Sequence, residues 1–257
     1  MSPETLRVAI VQDAPTPRDL AANLARAQSL VEETAADLIV LPELFLTGYQ
    51  TERLDELALT PKDPRLIPLA AACRAAGRAL LTGFVAPLGD GFSDAYLAID
   101  RDGAIREPIH KTHLFGSERA AFRAGDALSP ITLCGTRIGV INCFEIEFPE
   151  VARTLALRGA EVLVAGSANM HPYTLDHRIA AQSRALENRL ALAYANRVGA
   201  ESGHDFCGGS CAVSPDGALL GELDDRESGT ITVTVPLRRE TGGPTDMLAQ
   251  RRPELYA

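Results

Sequence analysis

The chain has 257 residues, 46% of them apolar and 23% charged, a composition that supports a sizeable folded core and excludes long disordered tracts. A formal net charge of −9 argues against a nucleic-acid partner and against anionic membrane surfaces, and Arg238-Arg239 and Arg251-Arg252 are pairs only. The apolar runs are too short to span a bilayer, and Met1-Ser2-Pro3-Glu4 lacks the basic start and apolar run of a secretion signal, so a soluble, cytoplasmic protein is expected.

In chain order, residues 7–12 read as a buried strand. Residues 17–34 carry Leu20, Leu24, Ala27, Leu30 and Val31 at helical spacing. Residues 37–42 form a second apolar strand, stopped by Pro42. A helix over 64–76 and a strand over 79–85 repeat the order. Residues 95–100 alternate and meet Asp102-Gly103, a hairpin signal. The next strand pair surrounds Cys134-Gly135-Thr136, and its second member, 137–142, runs into Cys143. Pro149 suits the first turn of a helix lasting to about Arg158. A strand at 161–165, a helix at 175–188 and a strand at 190–196 follow. Beyond Gly208-Gly209, strands at 210–214, 218–223 and 230–235 are joined by Pro215-Asp216-Gly217 and polar turns. With no linker or repeat, the expectation is one α/β domain over 1–257 with mixed sheets, and a tail from 237 to 257 lying as an arm.

Five cysteines, Cys73, Cys134, Cys143, Cys207 and Cys211, are scattered, with no C-x-x-C pair, so no metal site is expected. In a reducing compartment each reads first as a small buried apolar residue. Three residues nevertheless follow apolar strands or strand-like segments, where α/β proteins place reacting groups: Glu43, Lys111 and Cys143. A thiol is a good nucleophile once a carboxylate takes its proton, and an ammonium with a backbone N–H can stabilise the oxyanion formed on an amide. Taken singly, Cys143 reads as a structural thiol, Glu43 as a surface or N-cap carboxylate, and Lys111 as a loop lysine. His110, His113, His171, His177 and His204 also offer bases for Cys143, and spacing alone leaves both readings open.

The surrounding text narrows them. Leu41-Pro42-Glu43-Leu44-Phe45-Leu46-Thr47-Gly48-Tyr49, His110-Lys111-Thr112-His113-Leu114-Phe115 and Asn142-Cys143-Phe144-Glu145-Ile146-Glu147-Phe148-Pro149-Glu150 resemble the three catalytic signatures of the nitrilase superfamily, the carbon–nitrogen hydrolases. Arg184-Ala185-Leu186-Glu187-Asn188, Ala195-Asn196-Arg197 and Phe206-Cys207-Gly208-Gly209-Ser210 are similar to further stretches of that pattern, from about Leu6 to Val235. The resemblance implies a four-layer α-β-β-α sandwich, a homodimer or larger homo-oligomer with the arm at an interface, and amide hydrolysis through a cysteine thioester without a cofactor. It makes Glu43 the general base, Lys111 and the Phe144 backbone N–H the oxyanion donors, and Cys143 the nucleophile. Glu118 matches a second glutamate found in many members. Phe144-Glu145 departs from the usual Tyr-Asp, which leaves the partner of Glu145 open.

Glu147 bears on the substrate. Branches acting on carboxylated substrates carry arginine near this point, whereas an acidic residue would repel a carboxylate and attract an amine. The run 146–150, with 111–116 and 168–173, resembles bacterial amidases of ω-amino amides such as 5-aminopentanamidase. The expected substrate is a short aliphatic primary amide, with an ω-amino or ω-guanidino end as the sharper form. Alternatively, Glu147 pairs with Arg178 or Arg184 and never meets substrate. Tyr49, Asn169, Met170 and Tyr173 are candidate pocket walls, with ordinary packing as the alternative. An N-carbamoyl-amine hydrolase, a nitrilase, an acyltransferase and a non-catalytic binding member compete; the absence of tryptophan weighs against a nitrilase.

Overall fold

A computed structural model describes residues 4–237 and 243–256; within the expected arm, residues 238–242 and 257 lie outside the described residues. The chain builds β1 (Thr5–Gln12), α1 (Leu20–Glu33), β2 (Leu38–Val40), α2 (Ile67–Ala76), β3 (Ala79–Leu88), β4 (Gly91–Ile99) and β5 (Ile109–His110). A short helix α3 (Glu118–Ala121) leads to β6 (Ile131–Leu133), β7 (Thr136–Asn142), α4 (Pro149–Leu157), β8 (Val162–Ser167), α5 (Thr174–Asn188) and β9 (Leu192–Asn196). The remainder is strand: β10 (Val198–Glu201), β11 (His204–Cys207), β12 (Cys211–Val213), β13 (Leu219–Glu222) and β14 (Gly229–Pro236). Among the described residues, no helix is long and apolar enough to cross a membrane.

One sheet runs β14-β1-β2-β3-β4-β5, the other β13-β12-β9-β8-β7-β6. In each, three central strands are parallel and the flanks antiparallel. Near-continuous apolar runs suit strands buried on both faces, because successive side chains point opposite ways. In β1, Val8 and Ile10 enter the core between the sheets, while Ala9 and Val11 join the core under α1 and α2. Leu163 and Leu192 of the second sheet meet Val151, Leu155, Ala181 and Ala185 of α4 and α5 in a third core. The order of layers is therefore helix, sheet, sheet, helix.

The two sheets approach each other closely next to the strand ends that concern function. Tyr96 of β4 is fully buried in the inter-sheet core and donates its hydroxyl to the Leu41 carbonyl at 3.1 Å. Opposite it is Gly166 of β8, where a Cβ would lie 1.3 Å from the Tyr96 hydroxyl oxygen. No other residue type leaves room there.

Two details differ from the pattern in the sequence. The Asp102-Gly103 turn forms, with Gly103 at φ 82° donating to Asp100 at 2.8 Å, but the returning chain bridges only at Ile105 before β5. The long hairpin instead joins β3 to β4 around Gly89-Asp90. The β10–β11 hairpin, with Ser202 and Gly203 in the left-handed region, went unread because its strands show no apolar alternation.

Candidate active site

Four strand ends converge. Glu43 lies three residues beyond β2, Lys111 directly follows β5, Cys143 directly follows β7, and Ala168 directly follows β8. The chain bends sharply at two of them: Leu44 has φ 49° and Cys143 φ 46°. Non-glycine residues held at positive φ are strained, and the surroundings must hold them. Beneath the first bend, a Cβ at Gly83 would lie 2.0 Å from the Leu44 nitrogen, so only glycine allows the loop to settle on β3. At the second bend, Cys143 begins a helical turn over Cys143–Glu147. The helix expected from Pro149 is thus preceded by a turn that starts at the thiol itself.

Glu145 secures that turn. One carboxylate oxygen accepts the Asn142 N–H at 2.8 Å, the other the Thr112 N–H and hydroxyl, each at 2.6 Å. Its longer side chain thus ties the loop after Lys111 to the turn after Cys143. From the other side, the Arg184 guanidinium of α5 donates to the carbonyls of Ile146 and Glu147 at 2.9 and 3.1 Å.

Inside the bend is a dry charged cluster. The Lys111 ammonium hydrogen-bonds one Glu43 oxygen, and lies 2.9 Å from Glu118 and 3.3 Å from Asp94, with all four side chains buried. The other Glu43 oxygen accepts the Ala168 N–H at 2.8 Å. Tyr49 donates its hydroxyl to Glu118 at 2.7 Å, and the Phe115 N–H adds a bond of 2.9 Å. Glu118, matched to the second glutamate of many members, is buried at the start of α3. The Cys143 sulfur accepts a hydrogen bond from the Ser167 hydroxyl at 3.2 Å and also contacts the Glu43 carboxyl.

Protonation follows from this geometry. Burial pushes the Glu43 carboxyl up, but the Lys111 charge and hydrogen bonds from its neighbours outweigh it and hold the group below its ordinary value. Burial drives Lys111 down, and its acidic neighbours, led by Glu43 and then Glu118, more than reverse that, so it stays charged. Burial, reinforced by the Glu43 charge, lifts the Cys143 thiol well above its ordinary value. The resting sulfur is therefore a neutral thiol beside an ionised carboxylate. Such a pair can form a nucleophile by passing the proton during attack, without a standing thiolate. Glu43, Asp94 and Glu118 each offer an oxygen within 4.8 Å of the others, a set with the spacing of a cation site, and the Lys111 ammonium stands among them.

Over Cys143 lies a narrow cavity lined by Tyr49, Phe115, Phe144, Glu147, Asn169, Met170, Tyr173 and His177. All five residues proposed as substrate contacts border it. The Glu147 carboxylate pairs with neither internal arginine: the charged partner of Arg178 is Glu222, and that of Arg184 is Glu187. It lies 3.4 Å from His177 Nε2, with its side chain 35% exposed. His177 Nδ1 faces the Tyr194 hydroxyl at 2.9 Å and Ser167 at 3.4 Å. Of the five histidines, His177 approaches the sulfur through Ser167. His113 is engaged with Thr112 and Phe148, His171 sits near Thr174 at the surface, His204 packs on Tyr49, and His110 lines a separate cavity.

Four residues of this neighbourhood were not picked out from sequence for these roles: Asp94, Ser167, His177 as a pocket wall, and Tyr194. Asp94 had a signal, since it is a carboxylate set at alternate spacing with Tyr96 and Ala98 in a buried strand. The other three become neighbours only through the packing of α5 on β8 and β9.

A buried thiol, carboxylate and ammonium at the strand ends of a four-layer sandwich define a cysteine-dependent hydrolase of carbon–nitrogen bonds. The carbon-nitrogen hydrolase family model matches residues 7–242, and the chain belongs to that family. It is 40% identical to a protein of Pseudomonas protegens described as hydrolase in pqqF 5′ region, over 98% of this chain and 91% of that one. It is 37% identical to an (R)-stereoselective amidase of Pseudomonas sp, over 84% and 80%. An amidase from Nesterenkonia sp. superposes with a TM-score of 0.85 at 32% identity, covering 98% of this chain and 95% of that one. A variant of that amidase has been solved in complex with butyramide, again at a TM-score of 0.85, with 30% identity and coverage of 100% and 98%. The chain is an amidase of the nitrilase superfamily, and the similar amidase from Nesterenkonia sp. AN1 has an active-site cysteine.

Proposed function

We propose that the protein hydrolyses short aliphatic primary amides carrying a cationic far end, an amine or guanidine, to the acid and ammonia. In this reading Cys143 is the nucleophile and Glu43 the general base. As the sulfur attacks the amide carbon, the thiol proton passes to Glu43, and the carbonyl oxygen becomes an oxyanion stabilised by Lys111 and the Phe144 N–H. Glu43 returns the proton to the leaving nitrogen, ammonia departs and a thioester remains. Glu43 then takes a proton from water, whose oxygen attacks the thioester carbon; the C–S bond breaks, the acid leaves, and Glu43 returns that proton to the Cys143 sulfur. Glu118, fixed by Tyr49 and Phe115, keeps the Lys111 ammonium aimed at the carbonyl oxygen.

One observation carries the substrate class: the Glu147 carboxylate borders the same cavity as Cys143 and, among the described residues, is neutralised by no arginine. An anionic wall favours an ammonium and disfavours a carboxylate. Butyramide in the related amidase supports a short aliphatic chain. The aromatic walls Tyr49, Phe115, Phe144 and Tyr173 suit such a chain. The same reading makes the enzyme a cytoplasmic homodimer or larger homo-oligomer, with the arm at the interface and one domain per chain.

A panel of propionamide, butyramide, 5-aminopentanamide and glutaramic acid, the carboxylated amide, tests it by ammonia release. Preference for 5-aminopentanamide is expected; turnover of the carboxylated amide alone would refute the cationic end.

A further inference from the structure

Asp94 stands against the catalytic cluster without a place in the mechanism above. Its side chain is fully buried at the start of the inward-facing run of β4. One oxygen accepts the Asn142 Nδ2–H at 3.0 Å, and Asn142 immediately precedes Cys143. The other oxygen, Oδ2, lies 3.3 Å from Lys111 Nζ but outside hydrogen-bonding alignment, so it accepts no hydrogen bond among the described residues. The Asp94 carboxyl faces the Glu43 carboxyl, with an oxygen of each within 4.8 Å of the other, and the two groups interact.

Counting charges makes the arrangement informative. Glu43, Glu118 and Asp94 face one ammonium in a dry site. If all three were ionised, the cluster would hold two uncompensated negative charges beside a thiol that must become more negative during attack. Removing such charges from water is costly, and like charges this close drive one group to hold a proton. Lysine has three N–H donors. Glu43 and Glu118 take two, and an ionised Asp94 would compete for the third.

We propose that Asp94 is a positioning residue that keeps a proton on Oδ2, donates it to Glu43, and so leaves the third Lys111 N–H free for the oxyanion. The proton satisfies the orphan oxygen, orients Glu43 toward the sulfur, and lowers the resting charge of the cluster to −1. The groups facing Asp94 agree with this state. Glu43 from the β2 end and Glu118 from α3 repel a second carboxylate, and Tyr96 on its own strand is neutral. Lys111 from the β5 end opposes them, and Asn142 from the β7 end serves either form. Burial together with the Glu43 charge raises the Asp94 carboxyl well above its ordinary value. The oxyanion part rests on the roles proposed above. The protonation state does not, and it is tested without substrate.

A carboxyl that stays protonated when folded but ionises when unfolded stabilises the fold fully below its unfolded value, and that contribution is lost as pH rises. Asparagine carries no such loss, keeps the acceptor for Asn142, and can donate to Glu43. The melting temperature of Asp94→Asn should therefore exceed that of wild type by several degrees at pH 7, with the gap closing toward pH 4. A gap that is absent, that does not change between pH 4 and 7, or that has the opposite sign overturns the proposal; an ionised Asp94 paired with Lys111 would give the last. In turnover of butyramide, Asp94→Ala should lose about tenfold or more in kcat with KM little moved, and Asp94→Asn should recover most of it. Equal loss in both variants overturns the hydrogen bond to Glu43. Should Asp94→Ala not fold, Asp94→Asn decides on its melting curves and its kcat against wild type.

Discussion

Two carboxylates within reach of the same cavity, Glu43 and Glu147, are held in opposite ways. Glu43 is fully buried, and both its oxygens are taken, by the Lys111 ammonium and by the Ala168 N–H, with Asp94 and Cys143 against it. Glu147 is one-third exposed and leans on a single imidazole 3.4 Å away. Over-determined geometry suits a reaction whose rate depends on ångström-scale placement. A loosely held charge suits recognition, since in the proposed reading its partner in the complex is the substrate. The contrast teaches that chemistry and choice are separable here: changes at Glu43 should lower kcat for every amide, and changes at Glu147 should reorder amides.

The largest expected effect is at Glu43. Glu43→Gln keeps the shape and removes the proton acceptor, so kcat should fall by about 10³–10⁴-fold across the panel. Full activity in that variant would return the proton to a histidine and erase the contrast. Lys111→Met should combine loss of turnover with a fold weaker by about 3–5 kcal/mol, because Glu43 and Glu118 would be left buried and unpaired; urea unfolding measures it. Glu147→Gln should act on one class only. The kcat/KM for 5-aminopentanamide should fall by about 10–100-fold, mostly through KM, while propionamide changes little. An equal fall for both would make Glu147 part of the scaffold. Tyr49→Phe removes one hydrogen bond to the Glu118 carboxylate, about 1.5–3 kcal/mol of interaction. Its effect on kcat should be smaller than that, several-fold, since the Phe115 N–H still holds Glu118.

The pH dependence sharpens the same contrast. Glu43 is held below its ordinary 4.5, so it remains ionised as pH falls through that value. The acid limb of kcat/KM should lie below pH 4.5, and the contribution of Glu43 to stability should be present above 4.5 and lost only below it. An acid limb near 6.5 would point to an imidazole as the base.

Much of this was legible in the sequence for a physical reason. Strands buried on both faces are short apolar runs, and a polar residue placed beyond a strand end marks the run's boundary; Glu43, Lys111 and Cys143 all do so. The layer order was not readable from period or spacing, because which face of β1 meets α1 and which meets β9 is decided by packing. The resemblance supplied it. Asp94 lies just outside the alternating stretch 95–100, and its alternate spacing with Tyr96 and Ala98 gains meaning only once its burial is known. The link of Glu147 to His177 spans two elements far apart in sequence, and nothing local announces it. Equally, the partners of Glu145 are Thr112 in the loop after Lys111 and the Asn142 N–H, contacts that only the folded geometry reveals.

The most direct measurement is intact-mass spectrometry of the enzyme quenched seconds after exposure to the amide panel, with wild type and Cys143→Ala in parallel. The expected result is an acyl mass increment on wild type, largest with 5-aminopentanamide and absent from Cys143→Ala. An increment that survives in Cys143→Ala, or turnover by that variant, would contradict a thioester on Cys143.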